Sequence, residues 1–304
     1  MSLLLIQTIH QDESGLGFYR RVAESNCFAS VREMTTANGW TASQKALFTS
    51  PETASVQLGL NSACTKLASS RFKHAMTFGS FYRRNTDAIC PDCIADSPYL
   101  RKHWDHGLTT ACVTHKRKLI DVCPQCSEPL LKNRQRLDAC DCGFELKHSK
   151  REDATKVELW VSGLVSNGTT SVPGYLSVKE QVQTEIVAKL VRVLVTGADA
   201  ATHFVLRSSV SGLTDVSQAR EFIERLDPIV GNWPVGFQSH VRERIVAGPS
   251  DARTVRSLLG SWFAEVAKLT KDTAFNPLVA EVVAVVSQNT SCVVAPRGSA
   301  VDDS

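Results

Sequence analysis

Eight side chains between Cys90 and Cys142 have the chemistry to hold metal, and their spacing sorts them into two sets of four. Cys90, Cys93, Cys112 and His115 follow a C-x2-C-x18-C-x2-H pattern, and Cys123, Cys126, Cys140 and Cys142 follow C-x2-C-x13-C-x-C. Two residues between donors let a tight turn aim both at one point. A second close pair, carried in on a loop, completes the tetrahedron that zinc favours, with Zn–S about 2.3 Å and Zn–N about 2.0–2.1 Å. Four protein donors leave no position for water or substrate, so both sets read as structural zinc sites, two ions in all. Disulfides or merely clustered thiols are one alternative, though a chain of 304 residues does not need disulfides to fold. An iron–sulfur cluster is another; the histidine and the two CxxC turns favour zinc. His103, His106 and His148 are surplus histidines, none at the two-residue spacing of the Cys112/His115 pair.

A hydrolytic zinc centre has other signatures. A deaminase needs H-x-E upstream of P-C-x-x-C, and no histidine here is followed two places later by glutamate. Neither H-E-x-x-H nor G-x-x-x-x-G-K-[ST] occurs, so the expectation is a protein that is not an enzyme and that hydrolyses no ATP itself.

The elements that must position these donors read as mostly α. Asp12-Glu13-Ser14 offers capping side chains ahead of a helix with Leu16, Tyr19, Val22 and Ala23 at helical spacing. Short helices follow around 28–36, 42–48, 52–58 and 61–69, punctuated by Asn38-Gly39, Pro51 and Gly59, an arrangement open to a helix-turn-helix or a small bundle. After residue 151 the character changes: an amphipathic segment over 157–164, a helix over 177–195, another over 216–226, a stretch over 232–237 that leads into a helix through Arg244, and helices over 251–269 and 276–287. The expected organisation is an N-terminal helix-turn-helix-like region (1–76), a central tandem zinc module (77–150), a C-terminal helical domain (151–295) and a polar tail (296–304).

Composition is that of an ordinary globular chain, with 43% hydrophobic and 21% charged residues and a net charge of +3. Residues 71–150 carry 14 Lys+Arg against 9 Asp+Glu. Candidate contacts to nucleic acid or a partner are Arg83 and Arg84, interleaved with Phe78, Phe81 and Tyr82; Arg101, beside Trp104; and the run Lys116-Arg117-Lys118 directly after a ligand. The aromatics can equally pack beneath a metal-bound loop, with Trp104 anchoring the small core, and the basic run can equally be a solvated face. Cys27, Cys64 and Cys292 remain outside the ligand sets, as small buried hydrophobes in a reducing cytoplasm. The opening Met-Ser-Leu-Leu-Leu-Ile run lacks the basic flank of a signal peptide, and no apolar run is long enough for a membrane span.

Four local signatures make the chain resemble the TniQ/TnsD-type transposition targeting proteins. They are Asp12-Glu13-Ser14 ahead of the Tyr19/Arg20/Val22/Ala23 helix; the run of Arg84, Cys90, Cys93, Arg101, Trp104, Cys112, His115, Leu119, Cys123 and Cys126; the closing Cys140-Asp141-Cys142-Gly143; and Trp233-Pro234 with Phe237. The similarity spans most of residues 12–265. The resemblance implies a non-enzymatic adaptor that selects the insertion site of a Tn-seven-like transposon. It implies recruitment of an AAA+ regulator ATPase to a target-site complex, in some relatives a CRISPR Cascade-type effector with guide RNA and target DNA, and a homodimer. Sequence-reading members are longer and carry added C-terminal domains. At this length and modest charge an adaptor is expected ahead of an autonomous sequence-specific DNA-binding protein, because phosphate neutralisation supplies most non-specific affinity.

Overall fold

A computed structural model of the chain describes residues 3–40, 44–195, 215–247, 254–269 and 273–289. Cys292 and the 296–304 tail lie outside them. The described residues are mostly helical, with a single two-stranded sheet. None of their helices is long and apolar enough to cross a membrane. The chain divides into two compact units, one of residues 1–167 with 208–224 and the other of 168–207 with 225–304.

The first unit opens with five helices: α1 (Gly15–Ser25), α2 (Val31–Ala37), α3 (Gln44–Thr49), α4 (Pro51–Leu58) and α5 (Ser62–Met76). Four of the five starts have a local cause. Ser14 caps α1 by accepting from the Gly17 amide, Ser30 caps α2 by accepting from Glu33, Pro51 occupies the first turn of α4, and Asn61 accepts from the first amides of α5. The apolar faces meet in one core of Phe18, Tyr19, Met34, Leu47, Phe48 and Leu58, all 1% exposed or less. Burying each such side chain is worth about 1.5–3 kcal/mol. Phe48 stacks on Phe72 at 3.6 Å between ring centroids and meets Tyr19 edge-on.

The Asp12-Glu13-Ser14 signature does more than cap α1. Ser14 donates its amide to the Leu100 carbonyl at 2.8 Å, and Lys102 donates to the Asp12 carbonyl at 2.7 Å. Tyr99 donates its hydroxyl to Asp12 Oδ1, while buried Glu13 takes both Nε and Nη2 of Arg21. The N-terminal helices are therefore stitched to the loop between the first two donor pairs by backbone pairing as well as by side chains.

Among the donors, α6 (Pro91–Asp96) and the hairpin β1 (Ala111–Cys112) with β2 (Arg117–Lys118), in register Ala111↔Lys118, carry the first cluster. Helix α7 (Lys156–Asn167) backs the hairpin, with Trp160 fully buried and Ser162 Oγ accepting from the amides of Thr110 and Ala111. Helix α8 (Val216–Glu224) closes this unit: Asp121 accepts from its first amide at 2.8 Å, and Arg220 pairs with Glu158 at 2.9 Å.

In the second unit, the helix expected over 177–195 is shorter. Helix α9 runs Thr184–Val195, because Val178 exchanges both of its backbone hydrogen bonds with Thr170 and Val182 donates to Gly168. That pairing needs Gly168, which has φ +70° and whose missing Cβ would lie 2.7 Å from the Val182 carbonyl oxygen. Helices α10 (Asp227–Val230), α11 (Val235–Ala247), α12 (Val255–Leu269, interrupted at Gly260) and α13 (Asn276–Asn289) complete it around Phe237, Phe275 and Val282.

Candidate metal centres

The structure brings each set of four donors together. In both, one donor atom from every residue lies within 4.8 Å of all the others. In the first cluster, Cys93 Sγ is 3.6 Å from Cys112 Sγ. His115 Nδ1 lies 3.6 Å from Cys90 Sγ, 3.3 Å from Cys93 Sγ and 3.7 Å from Cys112 Sγ. In the second, Cys123 and Cys142, and Cys126 and Cys140, stand 3.7 Å apart. A tetrahedron with Zn–S of about 2.3 Å and Zn–N of about 2.05 Å has edges of about 3.8 Å for S···S and about 3.6 Å for S···N. The donors thus sit at the corners of such a figure. They are far from the S–S bond length of about 2.05 Å, and all nine cysteines among the described residues are free thiols.

Local geometry explains how the turns converge. Pro91 stands at the first position of α6, so Cys90 precedes the helix and Cys93 sits in its first turn. The hairpin then returns Cys112 and His115, with Lys116 in the left-handed region at φ 55° so that the chain can fold back into β2. In the second cluster the Cys123–Cys126 turn is closed by the Ser127 amide donating to the Cys123 carbonyl and by the Cys123 amide donating to Glu128. Gly143 adopts φ +88° and donates to the Cys140 carbonyl, which is why a glycine follows the Cys140-Asp141-Cys142 turn. The segments of the two clusters are joined directly, Ile89 and Ile120 exchanging hydrogen bonds at 2.9 Å each way.

The outer contacts also fit a metal. His115 presents Nδ1 to the thiols, and its Nε2 is 3.1 Å from Asp96 Oδ2. A carboxylate on the second ring nitrogen fixes the tautomer and ring plane of a metal-bound histidine. None of the surplus histidines competes. His106 is buried against Phe78 and Phe81, and burial, with the Arg83 charge adding, pulls it down to about 3. His148 points to Glu145 at the surface. Trp104 is 2% exposed in the core of the first cluster, and Phe78 and Tyr82 pack inward as well.

The candidate contact cations fare differently. Arg83 is a correction: it is fully buried, donating to the carbonyls of Gly107 and Thr109 at 2.9 Å, and offers nothing to a partner. Arg84 is exposed. Arg101 lies over the Tyr99 ring at 3.5 Å and pairs with Asp12 at 3.5 Å, so its charge is engaged within the fold. Of the run after His115, Arg117 is held by Asp153 and Asp92, and Lys118 by Glu152 at 3.4 Å; Lys116 alone of the three is exposed.

Sequence reasoning missed a buried ionic cluster beneath the donors. Asp87 takes Arg20 from α1 at 2.6 Å and Arg134 from the second cluster's loop, and Lys132 pairs with Asp105 alongside. All five side chains are about a tenth exposed or less. Burial alone would raise the Asp87 carboxyl, but Arg20, Arg134 and Lys132 outweigh it and hold it at about 2.

No curated protein matches the chain. Residues 4–119 match the family model for TniQ, which takes in the N-terminal helices, the stitched Asp12-Glu13-Ser14 segment and the whole first cluster, and stops short of the second. This is a shorter span than the resemblance over 12–265. Residues 4–119 thus carry a TniQ domain, and that domain implies a transposition-associated targeting protein.

Proposed function

We propose that this chain is a non-enzymatic, cytoplasmic adaptor in transposition. It links a target-site complex, a CRISPR Cascade-type effector with its guide RNA and target DNA, to an AAA+ regulator ATPase, and it works as a homodimer. Two structural zinc ions, one held by Cys90, Cys93, Cys112 and His115 and one by Cys123, Cys126, Cys140 and Cys142, would cross-link the loops that form the docking surface.

The observation that carries the reading is the donor geometry inside a TniQ domain. Four protein donors per ion at tetrahedral spacing leave no coordination position for a reacting group, so the chemistry of these sites is folding. Free thiols in both sets suit a reducing compartment. The pairing of Arg117 and Lys118 with carboxylates leaves little free charge on the hairpin, which favours docking on protein over capture of bare phosphate there.

The test is co-purification. The full zinc-loaded chain, co-expressed with the regulator ATPase and the guide-RNA effector of the same element, is expected to pull down both. A chain with two zinc ions bound that retains neither partner would overturn the adaptor reading. If the same chain shifted a specific duplex alone, strongly and with steep salt dependence, autonomous DNA recognition would replace it.

A further inference from the structure

The second donor set sits on two hairpin tips. Val122 pairs with Pro129 and the Cys123 amide donates to the Glu128 carbonyl, so Pro124, Gln125 and Ser127 stand exposed on one tip. Ala139 pairs with Glu145 and the Cys140 amide donates to the Phe144 carbonyl, so Asp141, Cys142 and Gly143 stand exposed on the other. Each tip carries two of the four cysteines. The sulfur pairs at 3.7 Å run from tip to tip, Cys123 to Cys142 and Cys126 to Cys140. A metal here joins one tip to the other, and a disulfide at either pair would join the same two tips.

Exposure picks out one sulfur. Cys123 is fully buried and Cys140 is 8% exposed, whereas Cys126 is half-buried and Cys142 is open to solvent. The tip beside Cys142 is unobstructed, since a Cβ on Gly143 would meet nothing within 4 Å. Closing 3.7 Å to an S–S bond of about 2.05 Å is a movement of about 1.7 Å. Zinc holds its sulfurs as thiolates, the form that attacks an oxidant. The first set lacks this combination: its three thiols are 4% exposed or less, and its fourth donor is a histidine. Cys27 is the one other exposed thiol among the described residues, and it belongs to neither set.

We propose that Cys142 is an oxidation site, with Cys123 as its resolving thiol and a peroxide as the oxidant. The Cys142 thiolate attacks one oxygen of hydrogen peroxide. An S–O bond forms, the O–O bond breaks and hydroxide leaves, so the sulfur gives up two electrons. The Cys123 thiolate then attacks that sulfur; the S–S bond forms, the S–O bond breaks and a second hydroxide leaves. Two thiolates and one peroxide give one disulfide and two hydroxides. With two of its four donors joined to each other, the second site releases its ion, while the disulfide keeps the tips together and the first site keeps its own. The inference rests on the second set holding zinc, as in the proposed function, and not on the adaptor role.

The full zinc-loaded chain is treated with hydrogen peroxide beside a chromophoric chelator. Release of one of its two ions is expected, with loss of two free thiols and a disulfide mapped by mass spectrometry to Cys123 and Cys142. A thiol reductant with added zinc should restore the second ion. Cys142→His keeps a fourth donor at the site and should hold both ions through the same treatment, whereas Cys27→Ser should release one ion as the wild type does. The disulfide mapped in the wild type decides the assignment without any variant. Fewer than two ions before treatment would overturn the zinc reading and this proposal with it. Two ions that peroxide leaves in place, both ions lost together, or a disulfide that excludes Cys142 would overturn this proposal alone.

Discussion

Three of the first cluster's donors, Cys90, Cys93 and Cys112, are 4% exposed or less, while in the second cluster Cys126 is half-buried and Cys142 lies open to solvent. The surroundings differ in the same sense. The first cluster is packed with Ile89, Leu100, Trp104 and Leu119, is backed by α7 through Ser162, and is stitched to α1 by the Leu100 and Lys102 pairings. The second shares that core through Cys123, Cys140, Leu130 and Leu137 but turns Cys126 and Cys142 toward solvent. Metal bound at the first is thus linked to the folding of the whole unit, whereas metal bound at the second closes the solvent-facing side of the same core. The family match includes the first and ends before the second, in line with that division.

The largest effect expected from breaking this contrast is at Cys93. Structural zinc contributes about 10–16 kcal/mol in small modules, comparable with the roughly 5–15 kcal/mol of an entire domain. Cys93→Ala should therefore leave the first unit unfolded, read as loss of a cooperative thermal transition together with bound zinc. Retention of a normal transition would mean that the first site is no more central than the second.

Asp87 tests the tie between the two regions, because it joins Arg20 of α1 to Arg134 of the second loop. Asp87→Asn should cost about 3–5 kcal/mol in urea unfolding, since two buried guanidiniums lose their counter-charge. The sign of its pH dependence follows from the lowered carboxyl. A group at about 2 when folded and about 3.9 when unfolded stabilises fully above roughly pH 4, and that stabilisation fades as pH falls toward 2. The gap between wild type and variant should be flat from neutral pH to about 4 and narrow below it.

Smaller again is Cys142→Ala, which should remove one zinc ion by elemental analysis yet leave a cooperative transition lowered by only a few °C. Loss of both ions would show that the knuckle is not separable. Asp96→Asn should weaken the first site's zinc by about tenfold, the low end for an outer-sphere carboxylate, since Asp96 is well exposed; competition with a chromophoric chelator reads it. Lys116→Ala, at an exposed tip, should change stability by no more than about 0.5 kcal/mol and zinc content not at all.

The donors were legible before any coordinates because each pair is separated by three residues or fewer, and a turn of that length has few conformations. The helices at Gly15–Ser25 and Pro51–Leu58 were legible through apolar spacing and capping residues, as was the start of Ser62–Met76, which runs seven residues past the expected end at 69. The fate of the charges was not. Arg83, Arg84, Lys116 and Arg117 look alike in sequence, yet one is fully buried, two are exposed and one is neutralised by a carboxylate 36 residues away. Nor could periodicity show that Ser177–Gln183 would pair with 168–170 instead of extending α9.

Local sequence alone determined which side chains could surround an ion, since thiolate and imidazole donors a few residues apart carry their geometry in the turn between them. Tertiary structure decided which basic groups face outward and how deeply each cluster sits. Coulombic pairing and burial depend on partners brought from 47 to 67 residues away, as at Asp87, and no local pattern encodes that distance.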